Sequence, residues 1–202
     1  MSIPSIKEVL QREDNRQKDL SKTPTLLSVD NQDEKQLQER MFKFMSKYFI
    51  VEYEVWSTNH KRRIDLIAIH KTDSLKKYPI GIEIKINQKK TGKDIAEWLK
   101  QANDYSLLDF VNYGKCLIIT CPQVSGLYMR EGEYMHIHED ENGYGKDNNI
   151  STFLGQFNIG EVQKYIRNGT AMLRIVFKGQ IIWDQHNDSF RSHNYDRLCP
   201  KR

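Results

Sequence analysis

The stretch Ile80-Gly81-Ile82-Glu83-Ile84-Lys85-Ile86 decides how this chain is read. Successive side chains of a strand point to opposite faces, so four isoleucines line one face while Gly81, Glu83 and Lys85 share the other. Taken alone, Glu-x-Lys describes an ordinary half-buried strand with a wet polar face. The elements on either side weaken that plain reading.

Upstream lies Arg63-Ile64-Asp65-Leu66-Ile67-Ala68-Ile69, an apolar strand interrupted by one carboxylate. Leu66 and Ala68 are placed on one face, and Asp65, Ile67 and Ile69 on the other. Both faces look covered, which is costly for a carboxylate unless it is ion-paired, hydrogen-bonded or bound to a metal. A salt bridge to Arg62 or Arg63 would be the structural explanation. Further upstream, Leu37, Met41, Phe44, Met45 and Tyr48 recur at spacings of three and four, predicting a helix over Gln32–Tyr48. At about 100° per residue, Glu34 lies about 20° from Met41, whereas Glu39 lies about 160° away. Glu34 thus extends the buried stripe; its structural role would be to complement the helix dipole.

Downstream, a helix is expected over Gly92–Phe110, with Thr91 as N-cap and Ile95, Trp98, Leu99 and Ala102 as its packed stripe. Gln101 and Tyr105, four residues apart, stand on one face along the margin of that stripe. The remaining expected strands are Phe49–Trp56, Lys115–Thr120, Tyr134–His138 and a hairpin of Leu173–Phe177 and Gln180–Trp183 about Lys178-Gly179. Gly160–Asn168 looks helical, and the tail from Asp184 looks loose. Residues 1–31 read as an N-terminal arm, 32–122 as the core, 123–183 as a C-terminal extension packed on it, and 184–202 as a polar tail.

Composition bounds the rest. The 202 residues suit one elaborated domain, and 38% hydrophobic with 10% aromatic residues supplies a sizeable core. No apolar run approaches the roughly 20 residues of a membrane span, and Met1–Leu20 is too polar for a signal peptide. No membrane partner is expected. The three cysteines include no CxxC pair, which argues against a disulfide framework or zinc knuckle and fits a reducing, cytoplasmic setting. Serine-hydrolase, P-loop and dinucleotide-binding signatures are missing. His136 and His138 share a strand face but lack a third zinc ligand of convincing spacing. A net charge of +4 does not by itself announce a polyanionic partner. Placement does: Lys61, Arg62 and Arg63 precede Asp65, and Lys89, Lys90 and Lys93 follow Glu83.

An Asp opening one strand, Glu-x-Lys on the next, a Glu on the preceding helix and QxxxY on the following helix together resemble the PD-(D/E)XK nuclease superfamily. The branch with RecB-type and lambda-exonuclease-like members is the most similar. The resemblance covers about Gln32 to Cys121; Ile64 stands where Pro often precedes the Asp, and no iron–sulfur cysteines are present. It implies an α/β fold, a central mixed sheet flanked by helices in a restriction-endonuclease-like core; the chain beyond that core, which the resemblance does not cover, is expected to form a C-terminal α+β extension. It also implies hydrolysis of phosphodiester bonds, DNA being the default substrate, with Mg²⁺ or Mn²⁺ as cofactor. Asp65 and Glu83 would be the main ligands, the Ile84 carbonyl a further one, and Glu34 direct or through water. Lys85 would orient the nucleophile or stabilise developing charge, and Gln101 and Tyr105 would position the phosphate or its nucleotide. Lys61, Arg62, Arg63, Lys89, Lys90 and Lys93 would hold the backbone. A homo-oligomer is compatible with the branch. Two other classes fit less: a nucleic-acid-binding module that does not cut, and a partner-binding α/β protein whose polar strand faces are simply wet.

Overall fold

The computed structural model describes residues 33–72, 78–85, 92–121, 154–167 and 170–198. The expectations for residues 1–31, Thr91, Lys89, Lys90 and the strand Tyr134–His138 lie outside these residues, as does Ile86 at the end of the Glu83 strand. Helix α1 (Glu34–Met45) is followed by strands β1 (Phe49–Trp56), β2 (Arg63–His70) and β3 (Ile80–Ile84). Then come helix α2 (Gly92–Ser106), the two-residue strands β4 (Asp109–Phe110) and β5 (Gly114–Lys115), and β6 (Leu117–Cys121). The chain continues with β7 (Ile159–Arg167), β8 (Thr170–Phe177), β9 (Gln180–Asp184), β10 (Ser189–Phe190) and helix α3 (Ser192–Leu198). Eight strands form one mixed sheet in the order β1-β2-β3-β6-β7-β8-β9-β10. Within it, β3/β6 and β6/β7 are parallel and the other neighbours antiparallel. No helix among the described residues is long and apolar enough to cross a membrane.

The two long helices cover opposite faces. Asp33 caps α1, its carboxylate accepting from the Lys35 amide at 2.9 Å. Leu37, Met41 and Met45 then pack on Ile80, Ile82 and Ile84 of β3, Leu66 and Ala68 of β2, and Trp183. Against the other face, Ile95, Trp98, Ala102 and Tyr105 of α2 meet Ile67, Ile69, Ile118 and Ile159. Gly81 belongs to this second face. A Cβ there would come within 2.6 Å of Ile64 Cδ1 and 2.8 Å of Ile118 Cδ1, so the missing side chain is what lets both isoleucines close over β3. Glu83, in step with Gly81, emerges on the α2 side beyond the apolar cover, and Lys85, just past the end of β3, reaches Glu34 at the start of α1.

Four expectations are corrected. Gly160–Asn168 is not helical but lies mostly in β7, pairing with β6 and β8. Its polar residues read as a helix's wet side because the partner that permits their burial, Arg174, lies in the next strand opposite Gln163. The segment after Asp184 is not loose. β10 pairs with β9, the Tyr195 hydroxyl donates to the Pro79 carbonyl at 2.8 Å, and the Asn194 amide donates to the Ile181 carbonyl at 2.8 Å. The second helix ends at Ser106 rather than Phe110, because Asp109 and Phe110 pair with Lys115 and Gly114 while Phe110 bridges to Ser57. Finally, the alternation of β2 breaks at Asp65: Ile64 joins Ile67 and Ile69 on the α2 side, whereas strict alternation would place it with Leu66. Glu54, across the β1/β2 ladder from this point, has φ 49°, in the left-handed region that non-glycine residues avoid. Pairing resumes on both sides, Tyr53 with Leu66 and Val55 with Ile64, so the kink turns the strand without shifting its register.

Candidate active site

The kink decides where the Asp65 carboxylate goes. The β2/β3 ladder stops at Leu66 opposite Ile82. One step further, Asp65 Oδ2 accepts from the Ile84 amide at 2.7 Å, replacing the backbone partner that β2 no longer offers. Amide and carbonyl of one extended residue leave a strand on the same side, so the Ile84 carbonyl also faces this opening. On the opposite edge of β3 the ladder continues, the Lys85 amide donating to the Cys121 carbonyl at 3.0 Å.

Three carboxylates surround one ammonium. Lys85 Nζ lies 3.0 Å from Glu83 Oε1 and 3.3 Å from Glu34 Oε1. Exposure rises from 2% for the Glu83 side chain through 22% for Lys85 to 43% for Glu34, so the site has a buried floor and opens past the start of α1. Glu83 Oε1 is buried, and its partner among the described residues is the Lys85 ammonium, an ion pair rather than a well-directed hydrogen bond. Burial, reinforced by the neighbouring Asp65 charge, pushes the Glu83 carboxyl up to about 7 despite Lys85. Burial also raises Asp65, against the opposing pull of the Ile84 amide and Lys85. Burial alone would lower the Lys85 ammonium, but Glu83, Glu34 and Asp65 outweigh it and raise it above its ordinary value.

Gln101 and Tyr105 do meet, on α2, yet they face the scaffold. The Tyr105 hydroxyl donates to the Arg63 carbonyl at 2.9 Å and accepts from the Gln101 side-chain amide at 2.8 Å. Tyr105 is 4% exposed, so it acts as a strut that fixes the chain two residues before Asp65. Burial followed by the Glu83 charge raises its hydroxyl pKa. A second strut comes from α1: the Gln38 side chain donates to the Asp65 carbonyl at 3.3 Å. Sequence reasoning missed Gln38, although its place four residues after Glu34 puts it on the same helix face. The basic residues are distributed unevenly. Lys61 and Arg62 are exposed at the entrance to β2, Arg63 pairs with Glu54 at 3.1 Å, and Lys93 extends into solvent 3.9 Å from Glu97.

Whether these groups suit a divalent cation can be judged from the donors. Among the described residues no three His, Cys, Asp or Glu side chains are drawn together into a cage, and the ammonium of Lys85 stands between Glu34 and Glu83. The donors are nonetheless of the right kind. Asp65, Glu83 and the Ile84 carbonyl are hard oxygens, and three carboxylates against one ammonium leave excess negative charge. A small divalent ion that keeps several waters needs no more protein ligands than these. Compared with known proteins, the chain significantly matches no family model, no curated protein and no solved structure.

Proposed function

We propose that this chain is a metal-dependent nuclease that hydrolyses phosphodiester bonds, with DNA as the expected substrate and a restriction-endonuclease-like arrangement of α1, β1–β3, α2 and β6 as its core. One observation carries the reading. Asp65, Glu83, Lys85 and Glu34, from three different elements, meet where β2 and β3 part, with a buried carboxylate at the bottom facing the Lys85 ammonium. Gathering three carboxylates about one ammonium at a break in the ladder is costly for a scaffold and suits a cation site.

In this reading Asp65, Glu83 and the Ile84 carbonyl hold Mg²⁺ or Mn²⁺, with Glu34 completing the set directly or through water. The bound ion supplies an acidified water and charge neutralisation at the phosphate. Lys85 places a positive charge beside the reacting phosphate and, held by Glu34 and Glu83, is oriented before substrate arrives. Tyr105 and Gln38 fix the backbone of β2 on both sides of Asp65. Lys61 and Arg62, exposed at the entrance, attract the phosphate backbone without regard to sequence.

The test is incubation of the full chain with end-labelled linear duplex, circular and single-stranded DNA, with and without Mn²⁺ or Mg²⁺. Cleavage that needs the ion and stops in chelator supports the reading. Retention of DNA without cleavage makes the chain a binding module, and neither result leaves the cluster structural.

A further inference from the structure

Trp56 is 45% exposed at the end of the edge strand β1, whereas Trp98 and Trp183 are 3% and 0% exposed. Its ladder neighbour on β2 is Arg63, whose guanidinium carbon lies 5.5 Å from the indole centroid, and the His60 ring lies 6.4 Å away. Lys61 and Arg62 lie in the same turn, exposed and without an acidic partner among the described residues. Arg63 and Asp65 are two residues apart, about 7 Å along a strand, and the Arg63 carbonyl is the atom Tyr105 fixes. Glu54, which pairs with the Arg63 guanidinium, is also near enough to raise the Asp65 carboxyl. An exposed aromatic ring rimmed by cations thus stands at the lip of the Asp65–Glu83–Lys85 site.

We propose that Trp56 is a stacking platform for an unpaired nucleobase, with Arg63, Lys61 and Arg62 receiving the phosphates beside it. The inference rests on the nuclease reading for its substrate and sharpens it: the preferred substrate carries an unpaired base next to the phosphate presented to Asp65 and Glu83. A base inside a duplex is already stacked on its neighbours and cannot use the ring, whereas a single strand or a frayed end can. The indole supplies an apolar face that accepts any base, and the cations supply the sequence-independent attraction. A phosphate can replace the single Arg63 Nη1–Glu54 contact with a forked one to two of its oxygens.

Because the other two tryptophans are buried, emission accessible to a ligand in solution reports on Trp56. The full chain, held in chelator so that no turnover occurs, is titrated with a short oligothymidylate and with an abasic oligomer of the same length. Saturable quenching by the first and little by the second is expected. Trp56→Ala should weaken oligothymidylate binding roughly tenfold, from the loss of one base–aromatic stack, while Trp56→Phe retains most of the affinity and a closed circular duplex shows no difference between variants. Equal quenching by the abasic oligomer, or equal oligothymidylate affinity of wild type and Trp56→Ala, overturns the proposal. So does a change in oligomeric state in Trp56→Ala at unchanged oligonucleotide affinity, which would make the ring a contact with a second copy. Quenching without cleavage in Mn²⁺ would sink the nuclease reading alone, and cleavage without quenching would sink the platform alone.

Discussion

Two buried acidic groups lie in one cross-strand row of the sheet, Glu83 on β3 and Glu161 on β7, with Thr120 of β6 between them. They are treated in opposite ways. Around Glu161 the polar groups are closed on one another. Gln163 donates to Glu161 Oε1 at 2.7 Å, Arg174 donates to Gln163 Oε1 at 3.0 Å, and the guanidinium lies 5.3 Å from the Tyr165 ring. Tyr165 in turn donates to Asp184 at 2.5 Å, and Asp184 also accepts from the His186 amide at 2.8 Å. Around Glu83 a buried oxygen faces only the Lys85 ammonium among the described residues, and the carboxyl is pushed up to about 7 by burial and by Asp65. The contrast separates a network closed on itself across β7 and β8 from a cluster in which carboxylates outnumber the cation. In the proposed reading the first serves stability and the second reactivity.

The sharpest way to break this contrast is to disarm the open cluster. Asp65→Asn and Lys85→Ala should each lower ion-dependent cleavage by at least about a thousandfold, while circular dichroism and urea unfolding stay close to wild type. Undiminished cleavage by either variant removes these residues from the chemistry. Next in size is the closed cluster. Arg174→Ala strips a buried cation from Gln163 and should cost about 3 kcal/mol in urea unfolding. A loss below about 1 kcal/mol would show that the network is not the structural one.

The third prediction uses pH, with the metal removed by chelator. A carboxyl raised from 4.5 to about 7 holds a proton in the folded state that the unfolded chain has already released. Its stabilising contribution is complete below about 4.5 and is lost as pH rises through about 7. Asp65, raised as well, acts in the same direction. Between pH 5 and 8, wild type should therefore lose up to about 3 kcal/mol more stability than Glu83→Gln. The variant should be at least as stable as wild type at pH 8. Parallel pH profiles would mean that Glu83 titrates normally. The smallest effect is expected from Tyr105→Phe, which removes the hydroxyl held by Arg63 and Gln101. It should slow cleavage far less than Asp65→Asn and cost about 1 kcal/mol of stability. Losses equal to those of Asp65→Asn would move the phenol from the scaffold to the reacting atoms.

Much of the core was legible because it follows local rules. Period-two alternation located β3, the Lys178-Gly179 turn between apolar runs located the hairpin of β8 and β9, and the 3.6-residue stripe located α1. Glu34 could be placed on the sheet-facing stripe by helical phase alone, since a helix presents i, i+4 and i+7 on one side whatever it packs against; its contact with Lys85 is a tertiary outcome. β7 and the chain after Asp184 were misread because their order depends on distant partners. Glu161 and Gln163 are buried only because Arg174 stands opposite, and the last helix is held by contacts to Pro79 and Ile181. Nothing within those segments announces it.

The sequence by itself singled out the candidate residues and most of the elements that bear them, because side-chain type and periodicity are properties of short stretches of chain. Tertiary structure alone decided where each group points. The kink at Glu54 and Asp65 sends one carboxylate into the gap of the ladder, Tyr105 turns inward as a strut, and Trp56 stays at the rim. Those outcomes depend on where two strands part and on what the neighbouring strands leave unpaired, and no local pattern encodes that.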